Sequence, residues 1–291
     1  MSSKKKGSSS ISFRHHVAPL APLALALTVG AAMKPSSPTT PAPASPVAEV
    51  GFAQSCADPN FPTETPTAMD EGSCSVAGSG GVETWQNEAK NDFCASASGA
   101  PTATTIADLV ALQAKVQQIP NINFGNTRQH PLTAKAGPIQ NRAPLVALGE
   151  GSLVQLQGFV KVARPEGAES VNCGKQVPNQ DAFHDIHISI VSNVGDEECS
   201  GVVVEMTPHH RPPAWTADLV NQVAASKLRV RVTGQRIFDS SHTPCINGSP
   251  ISGDPSRVSL WEVHPIYRFE VCPQGDCADG GWVALEAWKN S

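Results

Sequence analysis

The sequence lacks the positive charge that general nucleic-acid binding requires. Its 291 residues include 21 lysines and arginines against 26 aspartates and glutamates, so the formal net charge is −5. Because a protein that binds many phosphates needs a basic excess, this balance argues against a nucleic-acid partner. It does not exclude a nuclease whose acidic groups bind metal ions. The sequence also has no HExxH, GxSxG or P-loop motif, so none of these identifies an active site.

The cysteines lack the spacing of a thiolate metal site. None of the eight lies in a CxxC pair, and no zinc-finger spacing of histidines accompanies them. An even number of cysteines in an exported chain predicts disulfide bonds instead. The sequence leaves the pairing open. We expect Cys173 to pair with Cys199, because they flank one predicted strand, and Cys245 to pair with Cys272.

The first 33 residues have the order of a secretory signal. A basic, polar start precedes an apolar run from Val17 to Met33 that ends in small residues. Prolines interrupt this run, which is short for a bilayer span. We expect residues 1–33 to be a signal peptide, with an uncleaved N-terminal membrane anchor as the alternative. The protein is then secreted, periplasmic or in the bacterial cell envelope. Residues 34–80 read as a Pro/Ser/Thr-rich linker and irregular coil.

The rest of the sequence predicts a helical segment followed by a β-barrel. Residues 81–145 contain helical patterns, which we expect to pack on the barrel. Residues 146–291 contain three strands, a helix at 214–226 and two more strands. The fold class is mainly β with α: a five-stranded OB-like Greek-key barrel with a helix between strands three and four. Another small barrel or a sandwich is the alternative. The predicted strands lie within residues 151–167, 183–191, 201–208, 227–239 and 260–272.

Pro265 lies inside the last predicted strand and interrupts its hydrogen bonding. Proline in a strand is confined to edges and bulges. Because a bulge bends the strand as barrel closure requires, we expect one at this position.

Histidines and carboxylates recur together on the predicted strands and the loop after strand four. They are Asp185 and His187 on strand two, Glu205 on strand three, Asp239 and His242 where strand four ends, and Glu262 and His264 on strand five. Residues two apart on a strand share a face, so these groups could converge. Imidazoles beside carboxylates suit Zn²⁺ or another divalent ion, the only cofactor that the sequence indicates, and also suit acid–base chemistry.

The leading hypothesis is an exported OB-like binding domain for an extracytoplasmic ligand. A polyanion, an oligosaccharide or a peptide would lie across the outward, solvent-facing side of strands two and three. The residues expected to bind it are Asp185, His187, Glu205, Arg211 and Trp215.

The alternative hypothesis is a metal-assisted hydrolase that acts on phosphodiesters. His187, Glu262 and His264 would bind the ion, and Asp185 or His242 would orient or deprotonate water. A second alternative is a structural envelope module without chemistry.

Several sequence blocks are distributed over about residues 83–272. They are ETWQNEAKNDFCA, ESVNC, DIHISIV, VRVTGQRIFDSSH and LWEVHPIYRFEVC. Together they resemble a family of uncharacterised exported bacterial proteins with an OB-like barrel. The resemblance implies that the helical segment and the barrel form one unit. It implies no activity and assigns no catalytic residue.

Overall fold

The computed structural model describes the barrel and the helices that pack on it. The described residues are 78–79, 84–91, 100–119, 142–167, 169–172, 184–208, 211–251, 253–275, 277 and 280–288. The expected signal segment and nearly all of the expected linker lie outside them.

Four α-helices and seven strands are present in the part of the chain that the structure describes. The helices are α1 (Thr84–Lys90), α2 (Ile106–Val116), α3 (Ala143–Val146) and α4 (Ala217–Ala225). The strands are β1 (Thr102–Thr104), β2 (Leu153–Pro165), β3 (Ile186–Val191), β4 (Val202–Met206), β5 (Arg229–Phe238), β6 (Trp261–Cys272) and β7 (Val283–Ala284).

Five of these strands close into a barrel. The order is β2–β3–β4–β6–β5, and β5 pairs back onto β2. Neighbours are antiparallel except β4 and β6, which are parallel. With α4 between β4 and β5, this is the OB-like order that the sequence predicts. The predicted fold class is therefore confirmed, and β1 and β7 add short extensions to β2 and β6.

The long strand β2 pairs with two neighbours, and its register against β3 shifts between Val160 and Val162. Its first half pairs with β5 and its second half with β3. A Cβ at Gly158 would lie 2.6 Å from the carbonyl oxygen of Val191. Only glycine lets β3 approach this closely, so one residue permits the barrel to close here.

The bulge predicted at Pro265 is confirmed. The register of β5 against β6 shifts on both sides of Gly234, which pairs with Ile266 while Arg236 pairs with Val263. Beyond the shift, β6 continues to alternate between a buried apolar face and the polar face described below.

Two helices are fixed to the barrel by caps and side-chain bonds. Thr105 caps α2, and the side chain of Asp108 completes a capping box. The apolar stripe of α2 packs into the barrel core. On α4, the side chain of Asn221 bonds both the backbone N–H and the carbonyl of Ala163, at 2.9 and 2.8 Å.

The disulfides differ from the predicted pairs. Cys199 bonds Cys245, and Cys272 bonds Cys277, so the expected Cys173–Cys199 and Cys245–Cys272 pairs are wrong. The physical reason is tertiary: the loop after β5 lies against the turn before β4, where the backbone N–H of Val258 donates to the carbonyl of Gly201. Two disulfides are typical of an oxidising compartment outside the cytoplasm.

Among the described residues, no helix is both long and apolar enough to span a membrane.

The capping box predicts a measurable stability effect. Thr105→Ala should lower the free energy of unfolding by about 1 kcal/mol, because the first turn of α2 loses its side-chain acceptor. Urea denaturation measures this. Thr102→Ala, at an exposed position on β1, is the control and should change stability by less than about 0.5 kcal/mol. Equal effects would contradict the assigned cap.

Candidate functional site

The polar face formed by β3, β4 and β6 is buried. The residues of these strands that turn away from the core are fully covered, with 0% exposure at His187, Glu205, Glu262 and His264. The expectation that this face is open to solvent is wrong, because α1, residues 166–167 and residues 169–172 lie over it. The backbone carbonyl of Ala89 in α1, for example, accepts a hydrogen bond from Gln235.

Glu205 is the centre of this face. Its Oε2 lies 2.6 Å from His264 Nδ1, 3.2 Å from His187 Nε2 and 3.5 Å from Lys90 Nζ. The backbone register pairs His187 directly with Glu205, as expected for neighbouring strands. Burial alone would raise the pKa of Glu205, but His187, Lys90 and His264 outweigh it and hold that pKa well below its usual value.

Lys90, the last residue of α1, inserts a positive charge among three carboxylates. Its Nζ lies 3.1 Å from Asp239 Oδ2 and 3.9 Å from Glu262 Oε1, in addition to Glu205. Burial by itself lowers the pKa of Lys90, but these three carboxylates raise it well above the usual value. Arg257 adds a second cation, with Nη1 2.8 Å from Glu262 Oε2.

His264 and Glu262 both have raised pKa values. Burial lowers the pKa of His264, but Glu205 and Asp185 outweigh it and raise that pKa to about 9. Burial, Glu205 and Asp239 raise the pKa of Glu262 to about 7. On its other side, His264 Nε2 lies 3.0 Å from the Thr207 hydroxyl and 3.7 Å from Asp185 Oδ2. The predicted pair on the last strand is therefore part of a buried charge network.

Buried acidic and histidine clusters on this face could hold a metal ion. Three sets of donors have atoms within 4.8 Å of one another. They are Glu169, Asp185 and His187; Asp185, Glu205 and His264; and Glu205, Asp239 and Glu262. The ligands predicted from sequence, His187, Glu262 and His264, are distributed over these three sets.

The set of Glu169, Asp185 and His187 is called the donor cluster below. Its donor atoms are buried without hydrogen-bond partners: Glu169 Oε2, both Asp185 oxygens and both His187 ring nitrogens. Glu166 Oε1 lies 3.1 Å from His187 Nδ1, and Glu205 Oε2 lies 3.2 Å from His187 Nε2; both are ion-pair distances without hydrogen-bond geometry. Among the ion pairs of the described residues, none joins Glu169 or Asp185 to a lysine or arginine. The third set differs, because Lys90 and Arg257 already neutralise it.

Burial and neighbouring charges also shift the pKa values in the donor cluster. It raises the pKa of Glu169 to about 7, although His187 and Lys90 act in the opposite direction. Burial lowers the pKa of His187, but Glu205 and Glu169 outweigh it and raise that pKa well above its usual value. The Glu169 side chain is 23% exposed, so the cluster reaches solvent at this residue.

His242 lies beside the cluster on the loop after β5. Its Nε2 is 3.3 Å from Asp239 Oδ2, and its ring centre is 6.3 Å from that of His187. The side chain is 18% exposed. Burial and Arg257 lower the pKa of His242 to about 3. Gly253, at φ +95°, lies against the ring, and a Cβ there would be 3.2 Å from His242 Nδ1.

Arg211 and Trp215, predicted to bind ligand, have structural contacts. Arg211 Nη1 donates to the backbone carbonyls of His184 and Met206, at 2.6 and 2.9 Å. Trp215 is 2% exposed, and its Nε1 donates to Glu286 at 2.8 Å. Both side chains are outside the three donor sets.

Sequence reasoning missed Lys90, Glu166 and Glu169. Lys90 ends a short helix, and the two glutamates lie between β2 and the turn at Ser170–Asn172. No strand or helix periodicity marks these positions. The one available signal is that Lys90 and Glu169 fall inside blocks of the family resemblance.

The position of Lys90 predicts a large, pH-dependent effect on stability. Lys90→Met should lower the free energy of unfolding by about 3–5 kcal/mol at pH 8, because three buried carboxylates lose their shared cation. The loss should be smaller at pH 5, where Glu262, with its pKa of about 7, is already protonated and leaves less uncompensated charge. Urea denaturation at both pH values tests this. Lys115→Met, on the exposed side of α2, is the control, and an equally small loss in both variants would contradict the assignment.

Comparisons of this chain with protein-family models, with curated proteins and with solved structures give no match. Function must therefore be argued from the chemistry of the buried face.

Proposed function

We propose that the protein is an extracytoplasmic binding domain whose ligand is a divalent transition-metal ion, bound by Glu169, Asp185 and His187. The observation that carries this proposal is the set of buried donor atoms without hydrogen bonds. Each such buried group is destabilising by about 1–3 kcal/mol unless something binds it. A cation is the ligand that would satisfy two carboxylates and an imidazole together.

The donor chemistry favours Zn²⁺ among divalent ions. Zn²⁺ binds imidazole nitrogen and carboxylate oxygen at about 2.0–2.2 Å, so two such donors at tetrahedral angles are about 3.4 Å apart. His187 Nε2 and Glu169 Oε2 are separated by 3.8 Å, too far for a hydrogen bond but close to this spacing. Glu166, beside the other ring nitrogen, is placed to orient the imidazole.

Burial of the face favours an ion over the larger ligands expected from the sequence. A polymer or peptide across β3 and β4 would have to contact Asp185, His187 and Glu205, which are each 0% exposed. A metal ion is small enough to enter beside the Glu169 side chain, which is 23% exposed. The proposal therefore keeps the predicted role as a binding domain and changes the size of the ligand.

Metal addition and removal test the proposal directly. Protein without a polyhistidine tag, incubated with Zn²⁺ and desalted, should retain about one equivalent by elemental analysis. At a free Zn²⁺ concentration of about 100 times Kd, the free energy of unfolding should rise by about 2.7 kcal/mol, and EDTA should reverse the gain. Absence of both Zn²⁺ retention and stabilisation would sink the proposal and leave the structural envelope module as the simpler account.

Asp185→Asn separates metal binding from folding. This isosteric change should abolish Zn²⁺ retention while changing stability in EDTA by less than about 1 kcal/mol, because the attraction lost to His264 at 3.7 Å is offset by no longer burying a carboxylate without a hydrogen bond. Glu197→Gln, with 81% side-chain exposure, is the control and should retain the ion. Equal Zn²⁺ retention by wild type and Asp185→Asn would show that the ion binds elsewhere.

One observation favours metal-assisted hydrolysis as a second candidate function. His242 combines partial exposure, a carboxylate partner in Asp239 and a position next to the ring of His187. Because its pKa is about 3, His242 is neutral at ordinary pH, and a neutral imidazole at the solvent edge of a metal site can orient the attacking water by accepting a hydrogen bond from it. A small phosphodiester fits this arrangement better than a nucleic acid, given the net charge of −5.

The hydrolase candidate makes a separable prediction. With Zn²⁺ or Mn²⁺, the protein should cleave bis(4-nitrophenyl) phosphate, and His242→Gln should slow cleavage by about 10²-fold without changing metal content, because the attacking water loses the group that orients it. Asp185→Asn should lose both cleavage and metal. A His242→Gln rate equal to that of wild type would exclude this role for His242.

A further inference from the structure

A second polar surface lies on the outer side of β2, β5 and β6, and it is positively charged. Arg229 and Arg231 are two residues apart on β5 and face away from the core, since Val230 and Val232 between and after them are buried in it. Arg268 of β6 pairs with Thr233, the next outward residue of β5. The three arginines thus occupy successive rows of the sheet, and we call them the arginine face.

The guanidinium groups of this face are held in position by neighbours. Arg229 lies over the ring of Phe159, with 5.3 Å from its central carbon to the ring centre. Arg231 lies 4.7 Å from the ring centre of Trp282, and its Nε and Nη2 donate to Glu270 at 2.7 Å each. Aromatic stacking and the paired carboxylate reduce the freedom that these side chains would lose on binding a ligand.

Charge on this side of the barrel opposes the charge of the whole chain. Within the part of the chain that the structure describes, Glu270 is the one carboxylate that forms an ion pair with any of the three arginines. The chain as a whole carries a net charge of −5. A local cationic surface on an acidic protein attracts an anionic partner to one place and orients it.

We propose that the arginine face binds an acidic polysaccharide through its carboxylate groups. Arg231 is already bound to Glu270, so Arg229 and Arg268, which form no ion pair among the described residues, are the two arginines that can bind ligand carboxylates. They lie two rows apart, about 14 Å along the strand direction, and can therefore engage acidic sugars that are separated along an extended chain. A guanidinium group binds a carboxylate by two parallel hydrogen bonds, which fixes the direction of the ligand. The exposed side chain of Gln157, opposite Arg231 on β2, offers an amide to sugar hydroxyls in the same row.

The charge balance favours a polysaccharide over a nucleic acid. Duplex DNA carries one charge per about 1.7 Å, and its affinity depends on neutralising many phosphates at once. Three arginines on a chain with net charge −5 supply few such contacts and leave the remaining phosphates facing a like-charged protein. A polymer with one carboxylate per acidic sugar has a charge density that matches the arginine face.

The experiment uses the purified full chain in EDTA, so that metal-bridged binding does not contribute and the outcome is independent of the metal proposal. Binding of polygalacturonate is measured by titration calorimetry at 50 and 200 mM salt, beside neutral dextran of similar size and a single-stranded oligonucleotide. We expect binding to polygalacturonate, weaker at the higher salt concentration, and no binding to dextran.

Two matched variants test which arginines are responsible. The double variant Arg229→Gln, Arg268→Gln should bind polygalacturonate at least tenfold more weakly than wild type, with an unchanged unfolding midpoint. Arg164→Gln is the control, because Arg164 lies at the far end of β2 and pairs with Glu198. No binding by wild type, equal loss in the control, or tighter binding of the oligonucleotide would each overturn the proposal.

Discussion

Burial of the Glu205 carboxylate is the constraint on which the rest of the functional face depends. A charged carboxylate in the interior is stable only with partners of opposite charge, and Glu205 has three: His187, His264 and Lys90. Two of these partners come from neighbouring strands and one from α1. The barrel thus supplies two of the three counter-charges of Glu205, and α1 supplies the third. The helix that covers the face is also the element that makes the covered charges tolerable.

The unequal distribution of cations explains why one donor set is chemically different from the others. Lys90 and Arg257 neutralise the carboxylates on the β6 side of the face. Glu169 and Asp185, on the β3 side, have only histidine nitrogens within ion-pair distance in the described part of the chain. Lysine and arginine thus neutralise one end of a continuous acidic network, and at the other end the described carboxylates have neither as an ion-pair partner. An added cation would therefore be most favourable at that end.

Sequence patterns predicted the barrel because local rules coincide with its tertiary structure. The order of three strands, a helix and two strands is visible in the sequence, as are the alternation in β3 and the proline in β6, and all three agree with the pairing in the barrel. The pairing of His187 with Glu205 followed from that order. Burial of this pair did not follow, because the covering helix is distant in sequence and its Lys90 belongs to no pattern. The partners of Cys199 and Cys272 likewise depend on loop positions that no periodicity specifies. The paired arginines of β5 alternate visibly in the sequence, but only the structure places Arg268 in the next row.

Because Lys90 belongs to α1 and not to the barrel, a fragment that begins after α1 loses this lysine. A fragment of residues 146–291 would contain all five barrel strands and five of the eight cysteines. It would lack α1, and with it the lysine that joins Glu205, Asp239 and Glu262. The smallest cooperative unit therefore begins at or before Thr84. An expressed fragment limited to the barrel would leave these three carboxylates without Lys90.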